Sequence, residues 1–268
     1  MVYIGTSGWQ YRDWRGSFYP ADIPQREWLE YYCRHFSTLE LNNSFYRLPT
    51  AAAFAGWRAR TPDGFVMAVK MSRFLTHLKK LGEPEEPVER FLHRASELGP
   101  RLGPVLIQLP PRFPAVPERL DETLGLFPRS VRVAVEFRDP SWFSDEVRSV
   151  LERHRAACVL ADSPRRAQPQ WKTAGWGFLR FHEGRARPAP CYGENALRTW
   201  VERLSELFDP GDDVFVYFNN DHHACAIRDA GVFERLCREA GLKPTPATAP
   251  VEVGAYRPPR RASRRESA

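Results

Sequence analysis

Eight short stretches of the chain are rich in β-branched and other apolar residues, and longer stretches with apolar residues three and four apart lie between them. The short runs cover residues 2–6, 38–42, 65–70, 105–109, 131–137, 158–162, 177–181 and 214–218. Amphipathic helical periodicity covers 26–35, 87–98, 145–155, 196–207 and 232–240, the last following the eighth run. Strand and helix in regular alternation predict parallel strands joined by crossover helices, and eight repeats predict a single (β/α)8 TIM barrel over residues 1–242. No composition break or repeat divides that stretch, and the Pro-rich run 109–114 reads as a stiff loop after the fourth strand.

Alternation within the strands sharpens the picture, because one parity of a barrel strand faces the helices and the other faces the interior. One parity is wholly apolar: Leu39 and Leu41, Val69, Ile107 and Leu109, Val133, Val135 and Phe137, Val159 and Ala161, Leu179 and Phe181, Val216 and Phe218. The other parity ends in Glu40 and Asn42, Lys70, Gln108, Glu136 and Arg138, Asp162, Arg180 and His182, and Tyr217 and Asn219. Polar side chains therefore gather at the C-terminal end of the barrel, where enzymes of this fold place their chemistry. The alternative is a ring of mutually satisfied salt bridges that ties the barrel shut.

Composition adds limits. With 43% hydrophobic and 27% charged residues the chain is expected to be a soluble globular protein. Neither a spanning apolar run nor a signal-peptide start is present, so a cytoplasmic protein with no membrane partner is expected. Cys33, Cys158, Cys191, Cys225 and Cys237 are odd in number and widely spaced, which predicts reduced thiols. Of the net charge of +6, the segment from Lys243 onward supplies four, with six basic residues against Glu252 and Glu266. That segment, 243–268, is rich in Pro, Ala and Arg and is expected to be a disordered basic tail. Arg165, Arg166, Trp171 and Lys172, in the loop after the sixth strand, offer a lid or a phosphate contact.

The polar ring carries candidate chemistry. Glu136 and Asp162, with Glu40, are the acid/base candidates, since neighbouring or desolvated carboxylates are driven apart in pKa. Arg138, Arg180 and Lys70 supply countercharge and suit a phosphate or carboxylate. His182 with the carboxylates could hold a metal, but a single inward imidazole among several cations disfavours one, and no cofactor is indicated. Lys70 could form a Schiff base, a role the adjacent carboxylates oppose. Trp9, Tyr11, Trp14, Phe45, Tyr46, Trp142, Tyr192 and Tyr217 lie in or near the strand ends where a sugar or base could stack, and Asn42, Asn43, Asn219 and Asn220 add amides. No P-loop, dinucleotide fingerprint or nucleophile elbow is present, and a two-carboxylate glycosidase is disfavoured because strands four and seven end in Gln108 and Arg180.

Five segments in order, 5–9 (GTSGW), 40–46 (ELNNSFY), 106–111 (LIQLPP), 136–142 (EFRDPSW) and 217–220 (YFNN), resemble the domain of unknown function 72, or YecE-like, family. The stretch Arg180-Phe181-His182-Glu183-Gly184 departs by one inserted residue from the Arg-Phe-His-Gly of that pattern. The resemblance implies a TIM-barrel fold and no particular activity. The expectation from the residues is an enzyme, a hydrolase, lyase or isomerase, acting on a small anionic, sugar-phosphate-like or nucleoside-like substrate. Glu136, Asp162, Glu40, Lys70 and His182 would do its chemistry. Asn42, Tyr46, Gln108, Arg138, Trp142, Arg180, Tyr217, Asn219 and Asn220 would bind. The alternative is a nucleic-acid-binding or nucleic-acid-processing barrel working through the basic tail and aromatic rim.

Overall fold

The structure is a computed structural model that describes residues 1–163, 168–247, 249 and 251. Strands β1 (Val2–Thr6), β2 (Thr38–Leu41), β3 (Val66–Lys70), β4 (Leu102–Gln108) and β5 (Val133–Glu136) are followed by β6 (Ala157–Cys158), β7 (Leu160–Asp162), β8 (Trp176–Phe181) and β9 (Asp213–Phe218). Around them run α1 (Trp28–His35), the single turn α2 (Asn43–Tyr46), α3 (Ala51–Ala59), α4 (Glu85–Ala95), α5 (Pro117–Gly125), α6 (Asp145–His154), α7 (Glu194–Leu207) and α8 (Cys225–Glu239). All ladders are parallel and follow barrel order, β2-β3-β4-β5-β6 in one sheet and β1-β9-β8-β7 in the other. None of the described helices is long and apolar enough to cross a membrane.

The eight sequence runs are all strands, the sixth divided into β6 and β7, and the fold follows the (β/α)8 arrangement without a closed hydrogen-bonded cylinder and, among the described residues, without a helix between β7 and β8. At one seam the chain itself is continuous: β6 bonds to β5, β7 bonds to β8, and Val159 between them donates its N–H to Val135 O at 2.9 Å. At the other seam a side chain stands between the strands. The buried Tyr32 hydroxyl accepts from Thr6 N–H at 3.0 Å and donates to Thr38 O at 3.1 Å, linking β1 to β2 where a direct ladder bond would lie. Backbones meet directly only beyond it, through a Ser7–Glu40 bridge, and a Cβ on Gly5 would sit 2.3 Å from Thr38 O, so no larger residue fits there. Tyr32→Phe strips two buried backbone groups of their partner and is expected to cost about 1–3 kcal/mol in urea unfolding. A loss below about 0.5 kcal/mol would mean that the strands can close on each other directly.

Apolar side chains fill two regions. The larger core lies between strands and helices and contains the alternating set Leu39, Leu41, Val69, Ile107, Val135, Leu179, Phe181, Val216 and Phe218. The smaller fills the barrel interior with Ala68, Leu106, Ala134, Ala157, Val159, Phe178, Phe215 and Tyr217. The sixth strand corrects the sequence reading: Val159 faces the interior and Asp162 pairs in register with the outward Phe181, so its parity is the reverse of that expected. Residues 157–161 are apolar at every position, which leaves nothing in the sequence to fix which parity turns inward.

Two further expectations change. Cys191 and Cys225 are joined in a disulfide, while Cys33, Cys158 and Cys237 are buried and free. The pairing joins the loop after β8 to the start of α8, a closeness made by the fold and invisible in sequence spacing. The first residues assigned to the basic tail are tied to the barrel, Val2 donating to Lys243 O and Thr245 to Val2 O, each at 2.9 Å. Residues 248, 250 and 252–268 of the expected tail lie outside the described residues.

Candidate ligand-binding site

Charge is organised around Arg180, which leaves β8 toward the barrel interior. Its guanidinium donates to Glu40 Oε1 of β2 at 2.8 Å and to Glu136 Oε2 of β5, and all three side chains are within 1% of full burial. Gln108 donates from Nε2 to Glu136 Oε2 at 2.9 Å and accepts from Lys70 Nζ at 2.9 Å. His182 Nε2 lies 3.2 Å and Arg138 Nε 3.4 Å from Glu136 Oε1. Asn219 Nδ2 stands 3.2 Å from His182 Nδ1. Burial alone would raise the Glu136 carboxyl, but Arg180, His182 and Arg138 hold it well below the usual carboxylate range. For Arg180 burial opposes the charge, and Glu40 and Glu136 more than offset it. The salt-bridge ring considered from sequence therefore exists, made of Glu40, Arg180 and Glu136.

Above it opens a cavity of about 590 Å³. Its floor and walls include Lys70, Gln108, Arg138 and Arg180 from the strand ends, Asn42 and Asn219, and Asn43, Phe45 and Tyr46 from α2. Tyr11, from the loop after β1, and Arg73 and His77, after β3, complete it. Lys70 is 8% exposed, sits 4.1 Å from the Phe45 ring centre and has no carboxylate partner among the described residues. Burial, then the charge of Arg180, brings its ammonium down to about 8, against the opposing pull of Glu40 and Glu136. Burial and the charges of Lys70, Arg138 and Arg73 likewise bring His77 down to about 4.

Four cations, Lys70, Arg73, Arg138 and Arg180, thus face two carboxylates, Glu40 and Glu136, in and beneath the cavity. Buried polar atoms without a hydrogen-bond partner among the described residues also collect here: Ser7 Oγ, Glu40 Oε2, Asn42 Oδ1 and Arg180 Nε. Buried polar atoms are normally satisfied, so four at one strand-end cluster set this region apart from the rest of the interior. Among the described residues no three His, Cys, Asp or Glu side chains are grouped to hold a metal ion.

Of the residues expected from sequence, Glu40, Asn42, Tyr46, Lys70, Gln108, Glu136, Arg138, Arg180, His182 and Asn219 are brought together. Four are placed elsewhere. Asp162 is on the outer parity, beside Tyr192. Trp142 is wholly buried, stacked on Phe137, and donates from Nε1 to Phe113 O at 2.7 Å. Tyr217 points inward one step below the mouth, its hydroxyl 2.7 Å from Thr38 Oγ1. Asn220 faces outward and donates to Asp229 Oδ2 at 2.7 Å and Pro190 O at 3.1 Å, bracing the loop beside the disulfide. From the loop after β7, Lys172 pairs with Asp209 and Asp212 at the opposite end of the strands, while Arg165 and Arg166 lie outside the described residues. Arg73 and His77 were missed; their only sequence signal is that they follow a barrel strand's C-terminal end within seven residues.

A family model described as "Protein of unknown function DUF72" matches residues 3–252. The UPF0759 protein YunF of Bacillus subtilis is 28% identical over 262 residues, covering 82% of this chain and 89% of its own. The UPF0759 protein YecE of Escherichia coli is 33% identical over 149 residues, covering 54% of this chain and 51% of its own. A crystal structure of a DUF72 family protein from Thermotoga maritima superimposes with a TM-score of 0.78 at 30% identity, covering 89% of this chain and 99% of that one. The crystal structure of SacUVDE shares the fold alone, with a TM-score of 0.55 at 10% identity.

Proposed function

The chain belongs to the DUF72 family of unknown function, and from that premise we propose that its barrel mouth binds and transforms a small anionic, ring-containing substrate, sugar-phosphate-like or nucleoside-like. The observation that carries this reading is Lys70, a buried ammonium that no carboxylate neutralises among the described residues, flanked by Arg73 and Arg138 on the same cavity. An uncompensated buried cation is costly, and a ligand phosphate or carboxylate relieves it. The flat faces of Phe45 and Tyr46, the latter 74% exposed, suit a ring, and Asn42, Asn43 and Asn219 suit its hydroxyls or ring nitrogens.

The acid/base assignment shifts from that expected. Asp162 is out of reach, and Glu136, held ionised by three cations, serves to fix Arg180, His182 and Gln108 in place. Proton transfer to a bound substrate falls to Lys70, poised near 8 on the cavity wall. That group fits a hydrolase, lyase or isomerase working by acid/base chemistry.

A thermal-shift panel of sugar phosphates and nucleotides against their unphosphorylated counterparts tests this. At a concentration about 100 times its Kd, a phosphorylated ligand is expected to stabilise the fold by about 2.7 kcal/mol, or roughly 5–10 °C in Tm for a chain of this size. Arg73→Ala with Arg138→Ala should abolish the shift. If no phosphorylated compound stabilises the protein more than its neutral counterpart, the reading fails.

A further inference from the structure

The chain is strongly biased against lysine. Of its 39 basic residues only Lys70, Lys79, Lys80, Lys172 and Lys243 are lysines. Lys79 pairs with Glu83, Lys172 pairs with Asp209 and Asp212, and Lys80 and Lys243 are exposed. Lys70 alone is buried in the cavity. For holding an anion, arginine is the better residue, since its guanidinium stays charged and can grip two oxygens at once. The same cavity is already lined by two arginines free to take that role, Arg73 and Arg138. An amine at position 70 offers something a guanidinium cannot, which is a nucleophilic nitrogen.

We propose that Lys70 Nζ condenses with the aldehyde or ketone of a small phosphorylated ligand held in the barrel mouth, forming an iminium. This rests on the anion-binding reading above and names the substrate class of the same site. Gln108 Oε1 and the face of Phe45 fix Nζ at the cavity wall without a carboxylate that would lock it as an ammonium. Arg73 and Arg138 supply the phosphate handle that would set the carbonyl carbon against it. Burial and the neighbouring guanidiniums favour the uncharged amine, the same logic that activates lysines desolvated beside other cations.

The lone pair of neutral Nζ forms the C–N bond, the carbonyl π pair moves to oxygen, and a proton transferred from nitrogen to that oxygen gives the carbinolamine. Protonation of the hydroxyl and its departure as water, with the nitrogen lone pair forming C=N, leaves the protonated iminium. Gln108 Oε1 can accept the remaining N–H of that cation.

The full-length protein is incubated with dihydroxyacetone phosphate and sodium cyanoborohydride, whose hydride reduces the iminium carbon to a stable secondary amine, and the label is located by peptide mapping. Wild-type protein is expected to carry one label on Lys70, formed at least about tenfold faster than any on Lys79 or Lys80. Lys70→Arg, with its folding checked by thermal unfolding, is expected to lose it. In parallel, calorimetry with glycerol 3-phosphate, which has the anion but no carbonyl, reads the underlying site. Binding of glycerol 3-phosphate without label at Lys70 overturns this inference and leaves the anion-binding reading standing. Failure of both overturns this inference, and the sugar-phosphate and nucleotide panel decides the anion-binding reading. Label spread evenly over the surface lysines also overturns it.

Discussion

Arg180→Met is expected to destabilise the protein by about 3–5 kcal/mol near neutral pH, the loss expected when one partner of a buried ion pair is removed. The substitution leaves Glu40 and Glu136, both within 1% of full burial, as neighbouring carboxylates without the cation that lies between them. With Arg180 gone, burial would then push the Glu136 carboxyl above its unfolded value. A carboxyl raised in the folded state is least harmful when protonated, so the sign is fixed. The deficit should be greatest above the raised value and shrink as the pH falls from it toward about 4.5, below which the unfolded chain protonates as well and no further relief comes. The wild-type protein should behave in the opposite sense on the Glu136 side: a depressed folded-state pKa adds stability that is lost as the pH falls through it. Adding Glu40→Gln and Glu136→Gln to Arg180→Met should recover most of the loss, since no stranded charge remains. Urea unfolding of the single and triple variants across this pH range is the measurement. A single-variant loss under about 1 kcal/mol at pH 7 would show that water reaches the carboxylates freely and that the triad does not hold the mouth together.

The same triad shows what the sequence makes legible. Strands that are apolar at alternate positions and polar at their ends, as in Leu39-Glu40-Leu41-Asn42 and Val135-Glu136-Phe137-Arg138, declare their inward face, and every residue assigned there from those strands is in the site. The sixth strand has no such alternation, so its single polar residue, Asp162, could be assigned to the mouth only by counting back from Asp162 itself. Trp142 and Asn220 share another cause. Both follow a strand end by a few residues, but loop residues have no fixed parity, and their polar atoms are taken by Phe113 O and by Asp229 and Pro190. The disulfide was beyond reach because Cys191 and Cys225 are 34 residues apart and are brought together only by the return of the chain through α7 and β9. Arg73 and His77 were legible in principle, being polar residues in a strand-end loop, but nothing in their spacing separates them from a solvated turn.

Anion binding is expected to weaken as the pH rises through about 8, because Lys70 is the one cavity cation that can lose its charge in that range. Sulfate is the probe of choice, since it does not titrate there. Bound sulfate favours the ammonium and raises the pKa of Lys70 above its unliganded value. The affinity is therefore full below about 8 and falls by up to about tenfold per pH unit until the bound-state value is passed. Lys70→Met should flatten the profile and bind about 10–100-fold more weakly at pH 7, the effect of losing one charge-assisted contact worth about 1.5–3 kcal/mol. The unliganded protein should show the reverse slope. The unfolded chain has Lys70 near its ordinary 10.5 and the folded chain near 8, so between these values the unfolded state binds more protons and stability rises with pH. Below about 8 the full penalty is present, and above about 10.5 it is gone. One side chain thus drives stability and anion affinity in opposite directions over neighbouring pH ranges, a pair of slopes that a generally positive surface would not produce. If calorimetry with sulfate gives the same pH profile for wild type and Lys70→Met, Lys70 is not the group that meets the anion.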